Sequence, residues 1–300
     1  MIVIPGPASR ELGEQIAKGL STVPRAVDHR IFPDGESYIK IYPELKNETV
    51  VIVQTTAPSQ DQRLIQLFMM ARTAKALGAS RVICVVPYLA YSRQDKMFLE
   101  GEAYSLDLVI KILSDLGVDD LIVADVHNEA SLDKVDERYS IRIHNISGVS
   151  LLAGYLNENG FKGAYSLSPD KGAIHLAQAA DSLLGGGFGY FEKTRDRRTG
   201  EIEMKVKDLE VSGRKAVVFD DIISSGGTMA RAIEGLKGQG ANKVAAACTH
   251  ALFMGDAERR IREAGADVIA FTDSVKTSTE GVTITIAPLV VTELNRLVSE

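Results

Sequence analysis

Residues 215–231 read K-A-V-V-F-D-D-I-I-S-S-G-G-T-M-A-R, and no other stretch restricts the fold as much. The apolar run 216–219 has the length and composition of a buried strand. Asp220 and Asp221 end it. Ile222 and Ile223 follow, then Ser224, Ser225, Gly226, Gly227 and Thr228. From Met229 the pattern turns helical, with Ile233 and Leu236 on the same face as Met229. Strand, glycine loop and helix in that order predict an α/β fold with the loop at the carboxyl end of a strand. Open α/β sheets bind their ligands there.

The loop has a chemical reading. Glycines let successive backbone N–H groups curl toward one point, and the helix start adds partial positive charge. Ser224, Ser225 and Thr228 add hydroxyl donors, so a phosphate monoester fits. Asp220 and Asp221 repel a bare phosphate. They make sense if the ligand also carries a sugar diol or a cation beyond the phosphate, as a phosphorylated sugar does. The P-loop pattern is absent, and so is any G-x-G-x-x-G. The bland alternative, a turn with helix-capping Ser and Thr, leaves the acid pair behind four apolar residues unexplained.

The remaining chain repeats this grammar. Short apolar runs predict strands at 2–4, 26–32, 37–41, 50–54, 81–87, 121–124, 165–167, 188–191, 202–206, 244–249, 268–271 and 284–286. Amphipathic stretches between them predict helices, the last at 289–298. Ser9 is placed to cap the first, and Ser59-Gln60-Asp61-Gln62 has capping-box spacing for the second. Strand, loop and helix at 50–67 parallel 216–233, and L-G-A-S-R-V at 77–82 parallels Q-G-A-N-K-V at 239–244. The long period implies two copies of one α/β domain, 1–145 and 146–300, with mainly parallel sheets flanked by helices. In the first copy the loop reads Thr55-Thr56-Ala57-Pro58-Ser59, without the acid pair or the double glycine. Only the second copy is expected to hold a sugar phosphate.

Composition excludes other classes. A net charge of −6 and the absence of Trp argue against nucleic acid as a partner. No apolar run is long enough for a membrane span, and the N-terminus lacks a secretion signal. Cys84 and Cys248 lie in separate apolar runs and read as buried reduced thiols, which predicts a cytoplasmic protein. Residues 192–200 bring together Lys193, Arg195, Arg197 and Arg198, suited to close over a polyphosphate.

Residues 217–228 resemble the phosphoribosyl-pyrophosphate motif shared by type I phosphoribosyltransferases and ribose-phosphate pyrophosphokinases. Further motifs resemble the second family in its own order: Phe32-Pro33-Asp34-Gly35-Glu36, Pro87-Tyr88 with 91–96, Asp125-Val126-His127, Ser168-Pro169-Asp170, and Lys193 with Arg195. The resemblance covers essentially the whole chain. It implies two tandem phosphoribosyltransferase-like domains and an ATP-dependent enzyme. That enzyme passes pyrophosphate from ATP to ribose 5-phosphate, giving phosphoribosyl pyrophosphate and AMP. By resemblance, Phe32, Asp34, Gly35, Glu36, Arg93 and Gln94 bind ATP, and His127 and Asp170 hold Mg²⁺. Lys193 and Arg195 are catalytic. Arg195, Asp220, Asp221, Ser224, Ser225, Gly226, Gly227 and Thr228 hold the ribose phosphate. A homo-oligomer, dimer or hexamer, is implied. Asp170 is equally placed to cap the helix after it, and His127 to serve only as a hydrogen-bonded histidine. Ser224-Ser225 stands where the family often has Asp-Thr, Ala173 where a second Gly is usual, and the common Gln is missing after His127, so control by phosphate or ADP is not implied. Two alternatives remain, a phosphoribosyltransferase and a non-catalytic regulatory homologue.

Overall fold

The computed structural model describes residues 1–97, 99–136, 138–195, 202–205 and 211–299. They form two compact units. The first comprises Met1–Ile146, Ser274–Lys276 and Thr285–Glu300, the second Ser147–Asp273 and Thr277–Ile284.

The first unit contains, in order, β1 (Ile2–Pro5), α1 (Arg10–Gly19), β2 (Val27–Ile31), β3 (Ser37–Ile41), β4 (Thr49–Val53), α2 (Gln60–Ala76), β5 (Arg81–Val85), α3 (Ser105–Asp115), β6 (Asp120–Ala124), α4 (Glu129–Asp136) and β7 (Arg142–Ile146). Its sheet has the order β1-β4-β5-β6-β7, with every neighbouring pair parallel. The inner strands are buried on both faces, as their unbroken apolar runs require. β2 and β3 pair antiparallel outside that sheet, Val27 opposite Ile41 through Ile31 opposite Ser37.

The second unit follows with α5 (Val149–Leu156), β8 (Tyr165–Ser168), α6 (Ile174–Leu184), β9 (Phe188–Tyr190), β10 (Glu192–Arg195), β11 (Ile202–Lys205), β12 (Lys215–Ile223), α7 (Gly227–Gly238), β13 (Lys243–Ala251), α8 (Ala257–Glu263), β14 (Val268–Thr272) and β15 (Val282–Ile284). Its sheet is also all parallel, in the order β15-β14-β13-β12-β8-β9. One face packs α5 and α6 over Val217, Phe219 and Ala245, the other packs α7 and α8 over Val218, Val244 and Ala246. Phe219 is fully buried, and its truncation to alanine would cost about 3–5 kcal/mol. Both cysteines are free and buried.

Apart from β9, inserted before the hairpin of the second unit, the order of elements repeats: strand, helix, antiparallel hairpin, strand, helix, strand, helix, strand. The hairpin is β2–β3 in one unit and β10–β11 in the other. The last helix, α9 (Ala287–Ser299), belongs to the first unit and packs on α1 as α5 packs on α6. The expected division at 145/146 therefore differs at the chain's end, because the helix completing the first unit is supplied by the last residues.

Local details differ too. Ser9 makes no cap bond to α1; its hydroxyl accepts the Thr55 N–H at 2.7 Å. Ser59 has a left-handed φ of 67° and caps nothing with its side chain, so the capping box does not form. Residues 188–190 join the parallel sheet, and the partner of 202–205 is 192–195, part of the expected charged loop.

Candidate active site

β12 runs longer than its neighbour. β8 pairs with it only from Ala216 to Val218, whereas β13 follows it to Ile223. Past Val218 the chain of β8 turns away through Ser168, Pro169 and Asp170. Here the strand order reverses, with β9 beyond β8 on one side and β13 to β15 on the other. Such a switch point opens a crevice at the carboxyl ends of the strands, and the expected ribose-phosphate residues stand at it.

The loop's carbonyls face the protein. The N–H groups of Leu252 and Phe253 donate to the Ile223 oxygen at 3.0 and 3.1 Å, and the Met254 N–H donates to the Ser224 oxygen at 2.9 Å. Arg260 Nη1 donates to the Ser225 oxygen at 3.1 Å. Gly226 is the N-cap of α7, with φ 73°, and no side chain caps the helix. A Cβ on Gly226 would stand 2.9 Å from the Ala257 carbonyl oxygen, so the turn requires glycine twice over. The first amides of a helix have no intrahelical acceptor. At α7 no side chain takes that acceptor's place. The Ser224 hydroxyl lies 3.3 Å from Met254 Sδ, a weak acceptor.

Behind the loop the charges are crowded. Burial raises the carboxyl pKa of Asp220 well above the usual range, and Asp221 and then Asp170 add to the shift. The Asp221 N–H donates to Asp220 Oδ1 at 3.0 Å. Cys248, opposite Asp220 in the ladder, is raised by burial and by the same carboxylate. Asp170 does cap: its Oδ1 accepts the N–H groups of Gly172 and Ala173 at 3.0 and 3.3 Å. Among the described residues no three His, Cys, Asp or Glu side chains are grouped to hold a metal. Carboxylates of this kind suit Mg²⁺, which takes oxygen ligands, keeps waters and binds through one or two carboxylates plus substrate phosphates.

Lys193 and Arg195 lie on β10, opposite Met204 and Ile202 of β11. Their side chains, and residues 196–201 with Arg197 and Arg198, lie outside the described residues.

The expected ATP residues are in the first unit. Phe32 to Glu36 form the exposed turn between β2 and β3. The Phe32 N–H donates to the Glu36 oxygen at 2.8 Å, and the Glu36 N–H to Asp34 Oδ1 at 3.1 Å. Gly35 has φ 96°. The Arg30 guanidinium lies over Phe32 and Tyr38, 5.0 and 4.5 Å from their ring centres. The hairpin is tied to α2 by Gln66, which is fully buried. Its Nε2 lies 3.0 Å from Ser37 Oγ and 3.1 Å from His29 Nε2. Burial and the Arg63 charge lower the His29 pKa, so the ring is neutral at pH 7 and accepts. Arg93 is exposed, and the Gln94 N–H donates to the Tyr91 oxygen at 3.2 Å. His127 is exposed in the first unit, whereas Asp170 is in the second.

Residues 1–117 match the N-terminal domain of ribose phosphate pyrophosphokinase, and 142–283 match the phosphoribosyl transferase domain. A ribose-phosphate pyrophosphokinase of Saccharolobus solfataricus is 38% identical over 92% of this chain and 93% of its own. The chain belongs to the ribose-phosphate pyrophosphokinase family. The family's enzyme from Pyrococcus furiosus is 36% identical over 95% of this chain and 97% of its own. A crystal structure of phosphoribosylpyrophosphate synthetase from Mycobacterium smegmatis superposes with a TM-score of 0.87 at 27% identity, covering 100% of this chain and 98% of that one. The family fold, two phosphoribosyltransferase-like domains with parallel sheets flanked by helices, is the fold described above.

Arg260 and Gln66 carry no sequence signal that marks them. Arg260 acts on a loop 35 residues earlier in the chain, and Gln66 on one 29 residues earlier. No local spacing marks either.

Proposed function

We propose that this chain transfers the pyrophosphoryl group of ATP to the C1 hydroxyl of ribose 5-phosphate, giving 5-phosphoribosyl 1-pyrophosphate and AMP. The observation that carries the reading is the uncapped start of α7 behind Asp220 and Asp221, in a chain of this family.

The amides from Ser225 to Thr228, with the hydroxyls of Ser224, Ser225 and Thr228, take the 5-phosphate. Asp220, assisted by Asp221, engages the ribose hydroxyls or their cation. The C1 oxygen attacks the β-phosphorus in line and loses its proton to solvent. The bond from the β-phosphorus to the bridging oxygen breaks, and that oxygen leaves on AMP. Phe32, Asp34, Gly35, Glu36, Arg93 and Gln94 orient the nucleotide. Mg²⁺ supplies charge neutralisation on the phosphates when bound; Asp170, and His127 through water, are the residues that would hold it. Lys193 and Arg195 neutralise charge on the transferring group. Positioning and charge are what such transfers need. We place the enzyme in the cytoplasm, in keeping with the two buried free thiols, and take it to be a homo-oligomer as the family resemblance implies. No helix among the described residues is long and apolar enough to cross a membrane.

The test is AMP release. With ATP, ribose 5-phosphate and Mg²⁺, AMP and the pyrophosphorylated sugar should form in equal amounts, and neither should form without the sugar. ADP in place of AMP would contradict the reading. Lys193→Ala should lower turnover by about 10²–10³-fold.

A further inference from the structure

Gly226 and Gly227 are glycines for different reasons. The turn requires the first. At Gly227 the fold requires nothing of the kind. The nearest atoms to the point where a Cβ would stand are Arg260 Nη1 at 3.6 Å and Arg231 Nη1 at 3.8 Å, ordinary van der Waals separations. A glycine is also less favourable than alanine inside a helix. The chain therefore keeps a space open at the first turn of α7, floored by bare backbone and flanked by two guanidinium groups.

The arginines of α8 divide in the same sense. Arg259 pairs with Asp256 and Glu263, and Arg262 with Glu258 and the Glu280 carbonyl oxygen. Arg260 turns instead to the loop and fixes the Ser225 carbonyl, which spends one N–H of the five a guanidinium offers. Arg231 stands one helical turn after Gly227, on the same face.

On the reading that this loop takes the pentose phosphate, we infer that Arg231 and Arg260 are two further binding residues for its 5-phosphate, completing the cradle of α7 amides from the side. They answer a charge problem. Asp170, Asp220 and Asp221 gather negative charge where a phosphate dianion must come. Two cations beside Gly227 offset it, and arginine stays charged at every working pH. Phosphate monoesters gain their second charge near pH 6, so affinity should rise with pH through that value.

Calorimetric titration of the full chain with ribose 5-phosphate alone tests this. Arg231→Ala and Arg260→Ala should each weaken binding about tenfold. Arg260→Lys should fall between Arg260→Ala and the wild type. Gly227→Ala should weaken binding at least as much while leaving the thermal midpoint equal or higher, a combination that damage to the fold would not give. Alanine variants binding within twofold of wild type, or Gly227→Ala binding like wild type, would overturn the assignment. A wild-type chain that binds ribose 5-phosphate but releases no AMP contradicts the reaction and leaves these roles standing. One that binds no ribose 5-phosphate ends both.

Discussion

The two units carry the same strand-loop-helix, at β4–α2 and at β12–α7, and use it oppositely. In the first unit the loop's polar groups are consumed by the protein. The Thr55 N–H goes to Ser9 Oγ and the Thr55 hydroxyl to the Ser274 oxygen, both at 2.7 Å. The Thr56 hydroxyl donates to the Tyr88 oxygen at 2.6 Å and accepts the Ala90 N–H at 2.7 Å. Ala57 is buried, and Pro58 has no N–H to offer. In the second unit it is the loop's carbonyls that the protein consumes, and neither α7 nor α2 carries a side-chain cap. The sheets differ in the same way. β1 closes one edge of the first sheet, so its strand order runs one way, while β9 beyond β8 gives the second its reversal. On the proposed function, a duplicated scaffold becomes a binding site by two changes: an added edge strand, and a double-glycine loop whose carbonyls are held by the protein.

The sharpest way to break this comparison is to exchange the loops. Replacing 224–228 by the T-T-A-P-S of 55–59 should remove several donors at once and lower turnover by on the order of 10³ or more. Retained turnover would mean that the α7 amides do not hold the substrate. The converse change is smaller and of another kind. Thr56→Ala leaves the buried Ala90 N–H without its acceptor and takes one of two donors from the Tyr88 carbonyl, so stability should fall by about 1–3 kcal/mol. The KM for ribose 5-phosphate should not move. A raised KM with intact stability would put the first loop in the site.

The smallest effect concerns Asp220. Its folded pKa is raised, first by burial, then by Asp221 and Asp170. The native state therefore holds this proton more tightly than the unfolded chain. The group favours folding below its unfolded value of about 3.8, and that contribution is lost as pH rises through the folded pKa. At pH 7 it opposes folding. Asp220→Asn should accordingly melt a few degrees higher than wild type at pH 7, with the gain shrinking below about pH 4, while losing activity. A lower midpoint at pH 7 would show that the carboxylate is stabilised in the native state.

The second-unit loop was legible because its signals are local: an apolar strand, two acids and two glycines in succession. What escaped was set elsewhere in the chain. β7 reads R-I-H-N-I and forms because β6 lies beside it. α8 is only seven residues long, too short to show a period. β10 is rich in charge and becomes a strand by pairing with β11. Ser9 and Ser59 have capping chemistry, but Ser9 is taken by Thr55 and Ser59 is turned left-handed. The home of α9 depends on a helix more than 250 residues earlier, α1, and no pattern within 287–299 states it.

The most direct measurement is amide hydrogen exchange with and without saturating ribose 5-phosphate, read residue by residue over both loops. The account predicts new protection at 225–228 and none at 55–59. Protection at 55–59, or an unchanged 225–228 in a chain that binds the sugar, would contradict it.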